Sequence, residues 1–235
     1  MQSERRQILV AGATGGIGRA VLERARAAGW DAVGIYRSNE AEADALRAKW
    51  IDAEGTLDLR RCDLTDEVAM EALLAELGPD YCPDAFAHLA SAAFDVQPIA
   101  RFGWKDFAAQ IDGSLKSLVV LGNPIAKRMS RRRSGRIICA LSSVVIGTPP
   151  RGFSSYAVGK YAMVGLLKSL AAEYASKGVA VNAVAPGPMN TALLSGLPEL
   201  LTEQMRTSIP GERWIDTESV GNAVWWLAAE AGPEI

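Results

Sequence analysis

Six short β-like runs alternate with longer stretches of helical period from Gln7 to Ala229, and this alternation is what most constrains the fold. Strands are expected at Gln7–Ala11, Asp31–Tyr36, Gly55–Arg61, Asp84–Leu89, Arg136–Leu141 and Val179–Ala185. Several are apolar throughout rather than alternating, as strands covered on both faces must be. Helices are expected at Ile17–Ala28, Glu40–Ile51, Asp66–Leu77, Trp104–Arg131, Ser155–Lys177 and Thr217–Ala229. Thr65, just before Asp66 and Glu67, reads as a helix N-cap followed by first-turn acids. The pattern predicts an α/β chain: one Rossmann-type, doubly wound parallel sheet. At 235 residues it suits a single domain over 1–235.

One stretch breaks the rhythm. Between Pro186 and Arg213 proline and glycine punctuate a leucine-rich run, which predicts an apolar, lid-like insert at about 188–213. An ordinary helical excursion over the core is the alternative.

Composition removes other chemistries. A net charge of −2 gives no global attraction to nucleic acid or to an anionic membrane. The basic run Lys127–Arg133 (KRMSRRR) is either a solvated helix end or a docking patch. Three scattered cysteines and a single histidine argue against a disulfide framework, a zinc site or a histidine triad. The polar start, MQSERRQ, and the lack of a long apolar stretch point to a cytoplasmic setting.

The first strand runs directly into Gly12-Ala13-Thr14-Gly15-Gly16-Ile17-Gly18 and then a helix. Glycines at such a turn let the backbone approach a pyrophosphate, which then rests on the helix N-terminus. Where the second strand ends, an acid would hold the ribose 2′-hydroxyl of NAD, but the residues are Tyr36, Arg37, Ser38 and Asn39. A guanidinium there favours a 2′-phosphate, so NADP(H) is the expected cofactor. Asp63, followed by Leu64, is expected near the adenine ring, with helix capping as the alternative.

Tyr156-Ala157-Val158-Gly159-Lys160 puts a phenol and an ammonium four residues apart on one helical face. A fixed cation beside a phenol favours its ionised form. Ser143, 13 residues upstream and just after the fifth strand, falls at the sheet edge where such folds bind ligands.

Together these segments resemble the short-chain dehydrogenase/reductase family: a Gly-x3-Gly-x-Gly turn, a serine, Tyr-x3-Lys, then Pro186-Gly187 with Thr191 four residues on. The resemblance implies that Tyr156 gives a proton to a carbonyl, that Lys160 binds the nicotinamide ribose and lowers the tyrosine pKa, and that Ser143 positions the substrate oxygen. It also implies that Ala90, the Pro186–Met189 main chain and Thr191 contact the nicotinamide end, and that a last strand would lie beyond Ile235. Two positions depart from the family. His88-Leu89-Ala90-Ser91 replaces its usual Asn-Asn-Ala-Gly, and His88 is expected to bond to neighbouring backbone, with a proton-relay role as the alternative. Ser114 falls where the fourth catalytic residue, an asparagine, is expected.

Within the family the chain looks most like the 3-oxoacyl-(acyl-carrier-protein) reductases of fatty-acid or polyketide-like synthesis. That likeness implies a 3-oxoacyl thioester substrate, an acidic acyl-carrier protein meeting Arg133 and Lys177, and a homodimer or homotetramer built on the two long helices. A general NADP-dependent alcohol dehydrogenase, or a weakly active nucleotide-binding partner subunit, are the other readings.

Overall fold

The computed structural model describes residues 5–232 and 234–235. Its centre is a parallel sheet of six strands: β1 (Gln7–Ala11), β2 (Asp31–Tyr36), β3 (Leu57–Arg61), β4 (Ala85–His88), β5 (Gly135–Ala140) and β6 (Val179–Val184). Their order is β3-β2-β1-β4-β5-β6, so the winding direction reverses between β1 and β4. Val10 and Ala11 of β1 pair with Gly34 and Ile35 on one side and with Ala87 and His88 on the other. A reversal of this kind opens a crevice at the carboxyl ends of the two strands, where such sheets take up ligands.

Helices cover both faces because alternate residues of each central strand are apolar on each side. Ile8, Val10, Ala85 and Ala87 face α1 (Gly16–Ala27), α2 (Glu40–Lys49) and α9 (Thr217–Trp225), meeting Val21, Leu22, Leu46, Val224 and Trp225. Leu9, Phe86, Ile137 and Cys139 face the other layer, which holds α3 (Glu67–Leu77), α5 (Ser117–Val120), α6 (Gly122–Arg132) and α7 (Ser154–Tyr174). α4 (Trp104–Gln110) leads into α5, and α8 (Glu199–Thr207) lies within the segment after β6.

The doubly wound sheet forms as the sequence predicts, and its departures are local. Strand β3 starts at Leu57 rather than Gly55, because Gly55 packs directly on the Trp30 carbonyl and leaves no room for a side chain. The helix expected over Trp104–Arg131 is broken. α4 passes through a π-helical turn at Ile111–Lys116, and a second break at Leu121 precedes α6. Gly113, Gly122 and Pro124 supply the weak points, since glycine costs helix stability and proline lacks the donor. The N-cap of α3 is Asp66, whose carboxylate accepts from Ala69 N; Thr65 instead donates both its N–H and its hydroxyl to Asp63 Oδ1. Asp63 engages Thr65 and leaves Asp66, one residue nearer the helix, to cap it.

Among the described residues no helix is long and apolar enough to cross a membrane. Phe86 sits fully buried on the central strand β4. Phe86→Ala should lower the unfolding free energy by about 3–5 kcal/mol in urea titration, and a loss under about 1 kcal/mol would mean the core closes around the gap.

Candidate active site

The glycine turn closes on the crevice between β1 and β4. Gly12 has φ +93°, and a Cβ on it would lie 2.9 Å from Ala90 N, the first residues of the turn and of the β4 loop being in backbone contact. Gly18 is tighter still, with a Cβ position 2.2 Å from Gly12 O. The N-terminus of α1 follows with Gly15 as its cap and no side chain bonded to it, so the first-turn N–H groups are free for an anion. Thr14, Gly15, Gly16 and Arg19 then form one wall of a groove of about 1160 Å³ whose other wall includes Asn190, Thr191 and Leu194. A turn with no room for side chains, leading to an uncapped helix start, fits a dinucleotide pyrophosphate.

At the end of β2, Arg37 and Ser38 are exposed. Arg37 lies near enough to Asp63 to help hold that carboxylate below its ordinary value, after the two hydrogen bonds from Thr65 that dominate the shift. Asp63 thus holds Thr65 within its own turn, three residues ahead of the Asp66 cap of α3, and Leu64 behind it is buried. Glu40, the acid closest in sequence, accepts from Tyr36 Oη at 2.9 Å and pairs with Arg47 at 3.0 Å. Arg19, not singled out by the sequence, pairs with Glu42 at 2.9 Å. The acids near this edge are therefore engaged, while Arg37 keeps an exposed side chain.

Ser142, Ser143, Tyr156 and Lys160 gather past the carboxyl end of β5. Ser143 N donates to Pro186 O at 2.8 Å, which ties the β5 and β6 loops together and sets Gly187, Pro188 and Met189 alongside. Pro188 O in turn accepts from Ile215 N. Lys160 is 2% exposed, and its Nζ donates to Ala140 O at 3.0 Å while lying 5.7 Å from the Tyr156 ring centroid. Burial pulls this ammonium down to about 8. Burial also raises the Tyr156 phenol, and the Ser142 hydroxyl bonded to it pulls it partly back. The family resemblance implies that Lys160 lowers the tyrosine; in this geometry desolvation dominates and Ser142 is the group opposing it. Ser142 was missed because the sequence does not distinguish the two members of a Ser-Ser pair; in the fold its Oγ also accepts from Val144 N at the start of the short turn after β5.

Behind the pair lies a buried polar stripe. Gln110, Ser114 and Ser117 follow one another along α4, the π-helical turn and α5, each at most 3% exposed. Ser114 stands on the π-helical turn itself. His88 is fully buried, and its Nε2 meets Ser117 Oγ at 2.7 Å, so its partner is a side chain of the facing helix rather than neighbouring backbone. Its Nδ1 has no partner among the described atoms. Strand β4 pairs His88 with Cys139, next to the Ala140 carbonyl that Lys160 holds, which places the ring beside that ammonium.

The basic run divides. Arg128 donates to Tyr81 O, and Arg132 donates to Cys82 O and Pro83 O and pairs with Asp84, so both clamp the loop before β4. Arg133, at φ +57°, reaches Ser176 O, and Lys177 lies over the Tyr174 ring. Arg133 and Lys177 do come together, but at the far end of α7, about 27 Å along the helix from Tyr156.

The chain belongs to the short-chain dehydrogenase/reductase family of oxidoreductases. The family described as enoyl-(acyl carrier protein) reductase matches residues 12–235. A 3-oxoacyl-(acyl-carrier-protein) reductase of Rickettsia bellii is 32% identical over 222 residues, covering 94% of this chain and 88% of that protein. The corresponding reductase of Escherichia coli is 30% identical, covering 98% and 92%. An acetoacetyl-CoA reductase of Acinetobacter is 28% identical, covering 98% and 93%. In fold, a short-chain dehydrogenase/reductase of Serratia marcescens superposes with a TM-score of 0.84 at 23% identity, covering 98% of this chain and 93% of that one.

The single histidine gives the site a pH signature. Burial, reinforced by the Lys160 charge, pushes His88 down to about 3. An unfolded imidazole titrates near 6.5, so below that value the unfolded chain binds a proton that the folded chain refuses, and stability falls as pH drops. By about pH 5 this group should cost about 2 kcal/mol relative to neutral pH. Urea titrations of wild type and His88→Asn at both pH values check this: the pH-dependent loss should shrink by that amount in the variant, and equal losses would contradict it.

Proposed function

We propose that this protein reduces the keto group of a 3-oxoacyl thioester to a hydroxyl with NADPH, in fatty-acid or polyketide-like synthesis. The observation that carries the reading is the meeting of Tyr156, Lys160 and the Ser142–Ser143 pair at the sheet edge beside the glycine turn. Gly12, Thr14, Gly15, Gly16, Ile17 and Gly18 would hold the pyrophosphate, and Arg37 with Ser38 the 2′-phosphate. Ala90, Pro186, Gly187, Met189 and Thr191 would line the nicotinamide end. Bound NADPH supplies the hydride.

The protein side of the reaction is proton handling. As the carbonyl oxygen gains negative charge, Tyr156 Oη donates its proton to it. A buried phenol, raised above its ordinary value, is fully protonated at neutral pH and ready to act as the acid. Ser143, or Ser142 beside it, donates a hydrogen bond to the same oxygen, as in an oxyanion hole. Lys160 places its positive charge under the ring and grips the nicotinamide ribose. Ser114, buried on its π-helical turn, would be the residue through which a relay delivers the replacement proton. The 188–213 segment closes over the substrate through Leu194, which packs in the same cluster as Tyr156.

An acidic acyl-carrier protein finds its complement in Arg133 and Lys177. Because that pair is at the far end of α7, delivery to Tyr156 needs a long flexible arm or a second subunit of a homodimer or homotetramer that brings patch and site together. A cytoplasmic setting belongs to the same reading.

The test is NADPH oxidation with acetoacetyl thioesters set against free ketones. The thioester should be reduced, NADPH should be preferred to NADH by roughly tenfold or more, and Arg37→Ala should erase that preference. Turnover of free ketones alone would leave a general alcohol dehydrogenase, and nucleotide binding without turnover would favour a partner subunit.

A further inference from the structure

The space over Tyr156 is occupied by aromatic side chains. The Phe94 ring stacks on the Tyr156 ring with centroids 4.3 Å apart and planes at 26°, and Phe153 meets Phe94 at 5.5 Å. Val144, Ala157 and Leu194 complete a buried cluster, with Leu197, Met205 and Trp214 packed against it. This cluster is separate from the two layers that cover the sheet.

Phe94 is held in place from both ends of its loop. On one side Gln110, 3% exposed, donates from Nε2 to Ala93 O at 2.6 Å. On the other, Gln97 N donates to Gly152 O at 3.2 Å, and a Cβ on Gly152 would lie 2.7 Å from Val96 Cγ1. Swinging the ring aside loses two aromatic contacts, and moving its loop aside also breaks the buried Gln110–Ala93 hydrogen bond.

We propose that Phe94, pinned over Tyr156 by Gln110, is a specificity-determining residue that restricts this site to short 3-oxoacyl groups. The proposal rests on the thioester reading above. A keto group must reach Tyr156 Oη, and the chain beyond it then runs toward the cluster. An acetoacetyl group carries a single methyl beyond its keto carbon and leaves the stack intact, whereas a longer chain must displace Phe94 from the Tyr156 ring. Phe94 sets which chains fit, and Gln110 is a positioning residue that acts through the Ala93 carbonyl.

The experiment compares kcat/KM for acetoacetyl and 3-oxooctanoyl thioesters of one thiol in the same preparation, so that the fraction of active protein cancels in the ratio. Wild type should favour acetoacetyl by roughly tenfold or more, and Phe94→Ala should shift the ratio toward 3-oxooctanoyl by a similar factor. Phe94→Tyr should keep the wild-type ratio, and Gln110→Leu should move it the same way as Phe94→Ala by less. Equal use of both chains by wild type, or an unchanged ratio in Phe94→Ala, overturns the proposal while leaving the thioester reading intact. Reduction of neither thioester by wild type overturns that reading and this proposal together.

Discussion

Where β1 and β4 part, the backbone at Gly12 runs so close to Ala90 that no side chain could stand between them. This contact fixes much of the rest. It keeps the crevice narrow at the reversal of the sheet, aims the start of α1 into it, and sets the β4 loop within reach of α7. Glycine alone tolerates both the positive φ and the close approach. The groove beyond it inherits its shape from that one steric demand.

A second constraint is the cost of keeping an ammonium in a dry interior. Lys160 is almost wholly buried and donates to the Ala140 carbonyl, with the neutral His88 ring close by. The same dryness raises the Tyr156 phenol and keeps the imidazole uncharged. Burial therefore tunes all three groups together, and it leaves a proton donor, a cation and a neutral polar ring in one place. The stripe of Gln110, Ser114 and Ser117 gives that interior its polar lining where leucines would otherwise fill the layer.

Much of this was legible in the sequence because it is local. Apolar runs of strand length gave β1 and β2 with their observed ends, and the glycine turn lay where a strand feeds a helix. Tyr156 and Lys160 share a face by helical spacing alone. What was not legible depends on contacts far apart in the chain. Asp66 rather than Thr65 caps α3 because Asp63 captures Thr65. The long helix breaks where Gly113 packs on Ala92 of the β4 loop, and again at Leu121 just before Gly122 and Pro124. Phe94 and Gln110 lie in segments with no motif, and only the folded chain brings Phe94 onto Tyr156 and Gln110 onto the Ala93 carbonyl. Arg133 reaches the carbonyl next to Lys177, but sequence spacing could not show that α7 carries both away from the site.

In the proposed reaction the hydroxyl of Tyr156 is the proton donor at this edge of the sheet. Tyr156→Phe removes that one oxygen and keeps the ring that stacks on Phe94. Single-turnover NADPH oxidation with an acetoacetyl thioester should fall by about a thousandfold in the variant, with NADPH affinity by fluorescence titration almost unchanged. A variant that turns over at close to the wild-type rate would contradict the account.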